Sequence, residues 1–297
     1  MIPFKRQLEH IMAQAYKRKE PSVMYNELFP INTEVGEGAE SFTYRVYEDE
    51  GIAEFLSSYA KDEFPAVGTI GKEVTAPVRH IGAQYGFSEQ DLRASKMAGS
   101  KISASHALAA RRSHEIKKDQ VAFFGDKERG VVGVLTQANI PESNTTNGAW
   151  DASGKTAEQI LEDLNSMLEA MTDDTNGKEV PNRLVLPPKA LSIMKNTKLA
   201  DSDSTVYKFF TDNNPEIKVY SSHLLKGVTE VPSGTVSATN VALLYSYDPS
   251  ALEYVIPMPF KQHPPQKEGL QYTVYTEERL GGMKIERPLS IHIMKGL

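Results

Sequence analysis

The stretch "FFGDKERGVVGVLT", Phe123 to Thr136, decides how the rest of the chain is read. Two aromatic residues end a long helical run, and Gly125 stops it, as a residue free to turn left-handed does at a helix C-terminus. The glycines at 125, 130 and 133 stand at the wrong offsets for a G-x-G-x-x-G dinucleotide fingerprint, and they follow a helix instead of a strand. The stretch reads as helix stop, charged turn and then a short strand, "VVGVLT".

Upstream, Ser88 opens the longest helical signal in the chain, with Glu89 and Asp91 placed to favour the positive end of the helix dipole. It runs to about Phe124. Ile102, Ala109, Ile116 and Phe123 fall seven apart and predict its buried seam, and Gly99-Ser100 is the expected bend or break. Earlier still, Phe42, Tyr44 and Val46 alternate with Thr43, Arg45 and Tyr47 as in a strand. A charged segment, 48–68, follows, and a second extended run returns over about Ile70 to Phe87. Together these predict a long two-stranded excursion. Residues 1–20 carry Phe4, Leu8, Ile11, Met12 and Ala15 at helical spacing, a short basic amphipathic helix.

Downstream, 156–260 alternates helix and strand. Predicted helices are Thr156–Met171, "PPKALSIMKN" and "TVYKFFTDNN"; predicted strands are "RLVLP" and "IKVYSS". Val241–Tyr247 and Leu252–Ile256 are expected to pair across Asp248-Pro249. Gly281-Gly282 reads as a tight hairpin turn, with Met283, Ile285, Leu289, Ile291 and Ile293 on one face of a final strand.

Gly154-Lys155-Thr156 invites a nucleotide-binding reading, since a P-loop is G-x-x-x-x-G-K-[ST]. The first glycine is displaced by one, with Ala149 where it should stand, and "IPESNTTN" upstream is polar instead of a buried strand. A helix cap explains the residues better. Thr156 is the N-cap and Gln159 closes a capping box, while Glu158, Glu162 and Asp163 would repel a phosphate. On this reading Lys155 is no ligand, and Lys155→Ala should change neither stability nor assembly.

Other chemistry is equally sparse. Seven histidines are scattered; His114-Glu115 begins a zinc-protease H-E-x-x-H, but the second ligand position is Lys118. His106 and His114 are eight apart, too far for one metal, and read as helix-surface residues. No G-x-S-x-G elbow occurs. Glu48–Glu50 and Asp62-Glu63 read as a solvated hairpin before a metal set. The 297 residues contain no cysteine, so no disulfide or thiolate metal site is expected, and no apolar run is long enough to span a membrane. No catalytic, cofactor-binding or metal residue is assigned. The net charge of −6 argues against a surface built wholly for nucleic acid, yet residues 1–20 carry +3, from Lys5, Arg6, Lys17, Arg18 and Lys19 against Glu9 and Glu20. Long excursions without a core of their own want a partner, which leans towards a structural protein.

The order of these parts resembles the major capsid proteins of tailed bacteriophages, whose Hong Kong 97-type fold is shared with encapsulins. The glycine turn, "WDASGKTAEQILEDL" leading to "VPNRLVLPPKAL", and the ending "GGMKIERPLSIHIM" carry the likeness. It implies an α+β chain with an N-terminal arm (1–40), an extended hairpin or E-loop (41–87), a peripheral domain with a spine helix (88–149 and 258–297) and an apical domain (150–257). It also implies a non-enzymatic coat protein that self-assembles as pentamers and hexamers into an icosahedral head around double-stranded DNA. That head forms in the bacterial cytoplasm, with portal, decoration and scaffolding proteins as further partners, no cofactor and no membrane. The chain leaves no room for a long removable scaffolding segment, so a separate scaffold or none is expected. Lys61 and Lys72 lie in the hairpin region without a residue-level match to the lysine–asparagine cross-links of some members. The alternatives are an encapsulin-like nanocompartment shell and a soluble nucleotide-binding enzyme using Lys155 and Thr156.

Overall fold

The computed structural model describes residues 22–51, 67–98, 102–200 and 203–297. The chain opens with a helical turn, α1 (Tyr25–Leu28), and a short strand, β1 (Ile31–Asn32). Two ten-residue strands, β2 (Ser41–Glu50) and β3 (Gly68–Pro77), precede β4 (Arg79–Ser88), α2 (Glu89–Ala98) and the 23-residue α3 (Ile102–Phe124). Next come β5 (Glu142–Asn144), α4 (Ala157–Asp174), β6 (Arg183–Leu186), α5 (Pro188–Asn196), α6 (Val206–Asn213) and β7 (Lys218–Ser221). The rest is strand: β8 (Val228–Val231), β9 (Gly234–Thr239), β10 (Val241–Tyr245), β11 (Leu252–Val255), β12 (Met258–Gln262), β13 (Gln266–Glu268), β14 (Gln271–Leu280), β15 (Gly282–Ile285) and β16 (Ile291–Lys295).

Alternation of side chains along strands divides the interior in two. A five-stranded sheet runs in the order β5-β16-β10-β6-β7. Leu184, Leu186, Ala242, Leu244 and Met294 face α4, α5 and α6, and with Trp150 form one core. Val185, Leu243, Tyr245, Ile291 and Ile293 face the other way. That second core also takes in the end of α3, the glycine turn and the three-stranded sheet β1-β11-β15. The third sheet is built on β14, which pairs with β4 along all ten residues and with β12 and β13 on its other edge.

Several expectations are corrected. The extended run 70–87 is two strands in different sheets: β3 pairs with β2, and after Pro77 and the buried Val78 the chain enters β4 beside β14. "VVGVLT" forms no strand. It folds back on the end of α3, with Val134 N–H bonded to Ala122 O and Leu135 N–H to Phe123 O, so that orphan helix carbonyls are satisfied. β10 and β11 do not pair with each other; β10 lies between β6 and β16, and β11 between β1 and β15. Gly281-Gly282 is no hairpin turn, because β14 and β15 belong to different sheets. The final apolar residues are likewise split, with β15 and β16 separated by a 3₁₀ turn that leaves Leu289 exposed. The seam of α3 follows 102-109-116-123 only at Phe123, which is buried as expected: Ala109 is exposed and Ile116 half-buried, and the buried line runs through Ala110, His114, Lys118, Asp119 and Val121 to Phe123. The capping box of α4 is present as expected, Thr156 accepting from Gln159 N–H and Gln159 from Thr156 N–H.

Candidate assembly interface

The β2–β3 ribbon departs from the body of the protein. Its ten pairs run from Ser41↔Pro77 to Glu50↔Gly68 in unbroken antiparallel register. At its base, Val78 N–H bonds Glu40 O, and Tyr44 donates to Ile285 O with its ring under Lys284. Phe42 packs against Gly281, where a Cβ would stand 2.7 Å from the ring. Beyond these anchors no other described residue covers the ribbon. Thr43–Thr75 and the ion pair Arg45–Glu73 (2.7 Å) lie open on one face, and Tyr47 is 64% and Ile70 54% exposed. A two-stranded ribbon is marginal alone in water, and among the described residues this one is stabilised at its root.

The root rests on the glycine turn. Gly125 is left-handed, at φ +66°, and Gly125 and Gly133 approach so closely that a Cβ on either would collide with the other's backbone. Val132 O then accepts Met283 N–H at 2.8 Å, and Gly282, at φ +79°, fits against Val131 and Val132 only without a side chain. Helix end, turn and β15 are thereby joined directly beneath Phe42 and Tyr44.

Beside this root, α3 meets β14 through buried charge. His114 is held 3.2 Å from Glu278 through Nδ1 and 3.1 Å from Thr276 through Nε2. Lys118 Nζ donates to Glu115 (2.9 Å) and lies 3.1 Å from Glu278 Oε1, an ionic contact without hydrogen-bond alignment. Tyr25 donates to Glu115, and Asp119 accepts the N–H groups of Met24 and Tyr25, so the same cluster docks α1. Burial alone would lower the Lys118 ammonium, but Tyr25, Glu115 and Glu278 outweigh it and hold the group above its ordinary value. Burial pushes the Tyr25 phenol up to about 12 and raises the Asp119 carboxyl despite its two backbone donors. His114 is therefore an interior residue, and reading it as a helix-surface one is corrected. His106 is half-buried against Tyr85. Among the described residues no group of three metal-ligating side chains occurs, and no helix is long and apolar enough to cross a membrane.

Lys155 does not face a phosphate site. Its amine is directed inwards to Asp163 and to the carbonyls of Thr146 and Gly148. Asp163 also accepts from Trp150 Nε1 (2.8 Å) and from Thr146, so Trp150 anchors the loop before α4. Asp163 is thus no solvated charge of the first turns. Its role was hidden in the sequence, where only the i, i+8 distance from Lys155 hinted at it. Of the remaining sequence candidates, Lys72 is exposed on β3, and the 1–20 segment, Lys61 and Asp62-Glu63 lie outside the described residues, as do the side chains of Glu48–Glu50.

A ribbon rooted in a welded turn, a long helix beside β14 and a helix-covered five-stranded sheet form one assembly, and a family model for major capsid proteins matches it over residues 51–296. The chain belongs to the major capsid protein family. The capsid protein is similar to the capsid of Myoviridae phage XM1, with a TM-score of 0.85 at 17% identity over 100% of this chain and 99% of that one. It is similar to the capsid of a native GTA particle (TM-score 0.72, 13% identity, 98% and 96% covered). A virus-like particle from Pyrococcus furiosus matches at a TM-score of 0.60 and 15% identity, with 90% of each chain covered. No curated protein matches the capsid protein in sequence. The Hong Kong 97-type fold that the sequence resembles is the fold found, and the capsid protein is a structural protein of virions.

Proposed function

We propose that copies of this chain assemble as pentamers and hexamers into an icosahedral phage head that encloses double-stranded DNA, and that the β2–β3 ribbon packs on a neighbouring subunit. The observation that carries this reading is the ribbon itself: ten paired residues long, anchored through Phe42 and Tyr44, with Tyr47 and Ile70 of its outer part exposed and uncovered by the described residues. A shell subunit gains from such an arm, because large obligate interfaces bury more than about 2,000 Å² and need surfaces that are not satisfied within one copy. The arm 1–40, the hairpin, the peripheral parts (88–149, 258–297) and the apical part (150–257) are the working units of this reading. β4 is then best assigned to the peripheral sheet, because it pairs with β14.

The work of the protein on this reading is assembly, without a catalytic step. The +3 segment 1–20 on a body of −9 would sit at the inner face and hold packaged DNA or an acidic scaffold without sequence preference. Portal and decoration proteins are further partners, and assembly takes place in the host cytoplasm. Deleting 48–68 tests the core of the proposal. A folded protein with wild-type helix content that no longer closes into shells is expected, as seen by circular dichroism and electron microscopy. Particles of normal size from the deleted chain would overturn it.

A further inference from the structure

β5 stands at one edge of the five-stranded sheet, three residues long and parallel to β16. So short a parallel ladder is a weak attachment, and side chains grip it from both faces. On the face towards α4, Ser143 Oγ stands 2.9 Å from Nε2 of His292, which shares that face with Leu244 and Met294. On the opposite face, Glu142 accepts from Lys295 Nζ at 2.6 Å and from the N–H and hydroxyl of Ser233 at 2.6 and 2.7 Å. One carboxylate thus ties β5 both to β16 and to the β8–β9 hairpin. The register sets the two faces, since Ser143 pairs with Met294 and Glu142 with Ile293, which look into different cores.

Each grip works in one protonation state, and acid spoils both. His292 is 3% exposed, so a second ring proton would put a cation where water does not reach. Burial lowers the imidazole below its ordinary value, and Asp174, at the end of α4, offsets this only in part. Glu142 grips as an anion: burial raises its carboxyl, but Lys295 and Ser233 together hold it low. The charged groups acting on the two are therefore Asp174 from α4 and Lys295 from β16.

We infer that β5 is an acid-released strand: protons at His292, and then at Glu142, detach it and the β8–β9 hairpin from β16 while the rest of the chain stays folded. Both groups bind a proton more weakly in the folded chain than in the unfolded one. Their contribution is complete above the unfolded histidine value of 6.5 and is lost first as pH falls from there through the lower folded value. A second loss follows below the unfolded glutamate value of 4.5. Release would bare the edge of β16, whose N–H and C=O groups could then pair with another strand.

Amide exchange in the full chain from pH 7.5 to 3.5, corrected for the intrinsic effect of pH, tests this. The probes are Thr145 and Ile293, whose N–H groups bond Lys295 O and Pro141 O, and Ser233, whose N–H bonds Glu142; Leu243 in β10 is the reference. Protection at Thr145 and Ile293 should fall at least about threefold relative to Leu243 between pH 7 and pH 5, with a further fall at Ser233 below pH 4.5. His292→Gln, which keeps a side-chain amide for Ser143, should remove the first step and leave the second. Glu142→Gln should remove the second alone. If either variant does not fold, carbon NMR of the wild-type histidines carries the test. At pH 6.5, where an ordinary imidazole is half charged, most of His292 should be neutral, and a largely charged ring would overturn the inference. Loss of protection at Thr145 and Ile293 only in step with Leu243, or a first step unchanged in His292→Gln, would overturn it equally.

Discussion

Lys155 Nζ lies 2.8 Å from Asp163 Oδ2, and both side chains are wholly buried. This pair turns the most conspicuous motif in the chain into a structural one, and it reverses one expectation drawn from sequence. Lys155→Ala should not be silent. It leaves the Asp163 carboxylate buried with Trp150 and Thr146 as donors but no cation, and breaking a buried pair from one side costs about 3 kcal/mol or more. A fall of several degrees in the thermal midpoint is expected, with no ATP binding by wild type or variant in calorimetry. An unchanged midpoint would contradict the assignment.

The cluster joining α3 to β14 should behave similarly. Glu278 is fully buried between His114 and Lys118. Glu278→Gln removes one of two carboxylates facing Lys118 and should cost about 3 kcal/mol in urea unfolding. Tyr25→Phe, which loses the hydroxyl's bond to Glu115 and its contact with Lys118 but removes no carboxylate, should cost about 1 kcal/mol. Equal effects would mean that the hydrogen bonds, and not the charge balance, hold the helix.

What the sequence made legible was local, and what it hid was tertiary. The cap at Thr156, the helix α4 and the strands β6 and β7 depend on neighbours in sequence, and all appear where the pattern places them. Pairing partners do not follow from pattern alone. β10 and β11 look like a hairpin because both are apolar and a turn lies between them, yet each is claimed by a different sheet. The α3 seam was misread because its buried line contains His114 and Lys118, which look like surface residues until Glu278 is brought opposite them from 164 positions away. Asp163 was misread for the same reason. The ribbon was legible as an excursion, but its end at Pro77 was not, because β3 and β4 are one uninterrupted extended run broken only by a change of partner.

Acid should weaken the link between the β8–β9 hairpin and the five-stranded sheet. Burial raises the Glu142 carboxyl, but Lys295 (2.6 Å) and the N–H and hydroxyl of Ser233 outweigh it and hold it below the ordinary glutamate value. A carboxyl depressed in the folded state contributes stability above its unfolded value, near 4.5, and that contribution is lost as pH falls through the lower folded one. Wild type should therefore lose more stability than Glu142→Gln between pH 5 and pH 3, measured by denaturant midpoints. Parallel pH curves would contradict this.

The root of the ribbon is tested at Gly281. A Cβ there would stand 2.7 Å from the Phe42 ring and 3.0 Å from Val255, so Phe42 must swing away. Gly281→Ala should cost about 1–3 kcal/mol by overpacking, and amide exchange in β2 and β3 should accelerate more than in β10. Uniform acceleration would show that Phe42 does not set the ribbon's attachment.

Electron microscopy of the purified full-length protein, across a concentration series, tests the central claim most directly. Closed icosahedral shells built of pentamers and hexamers are expected, with β2–β3 of one subunit lying on the next. A monomer or small oligomer that persists at every concentration, with the ribbon bare, would contradict it.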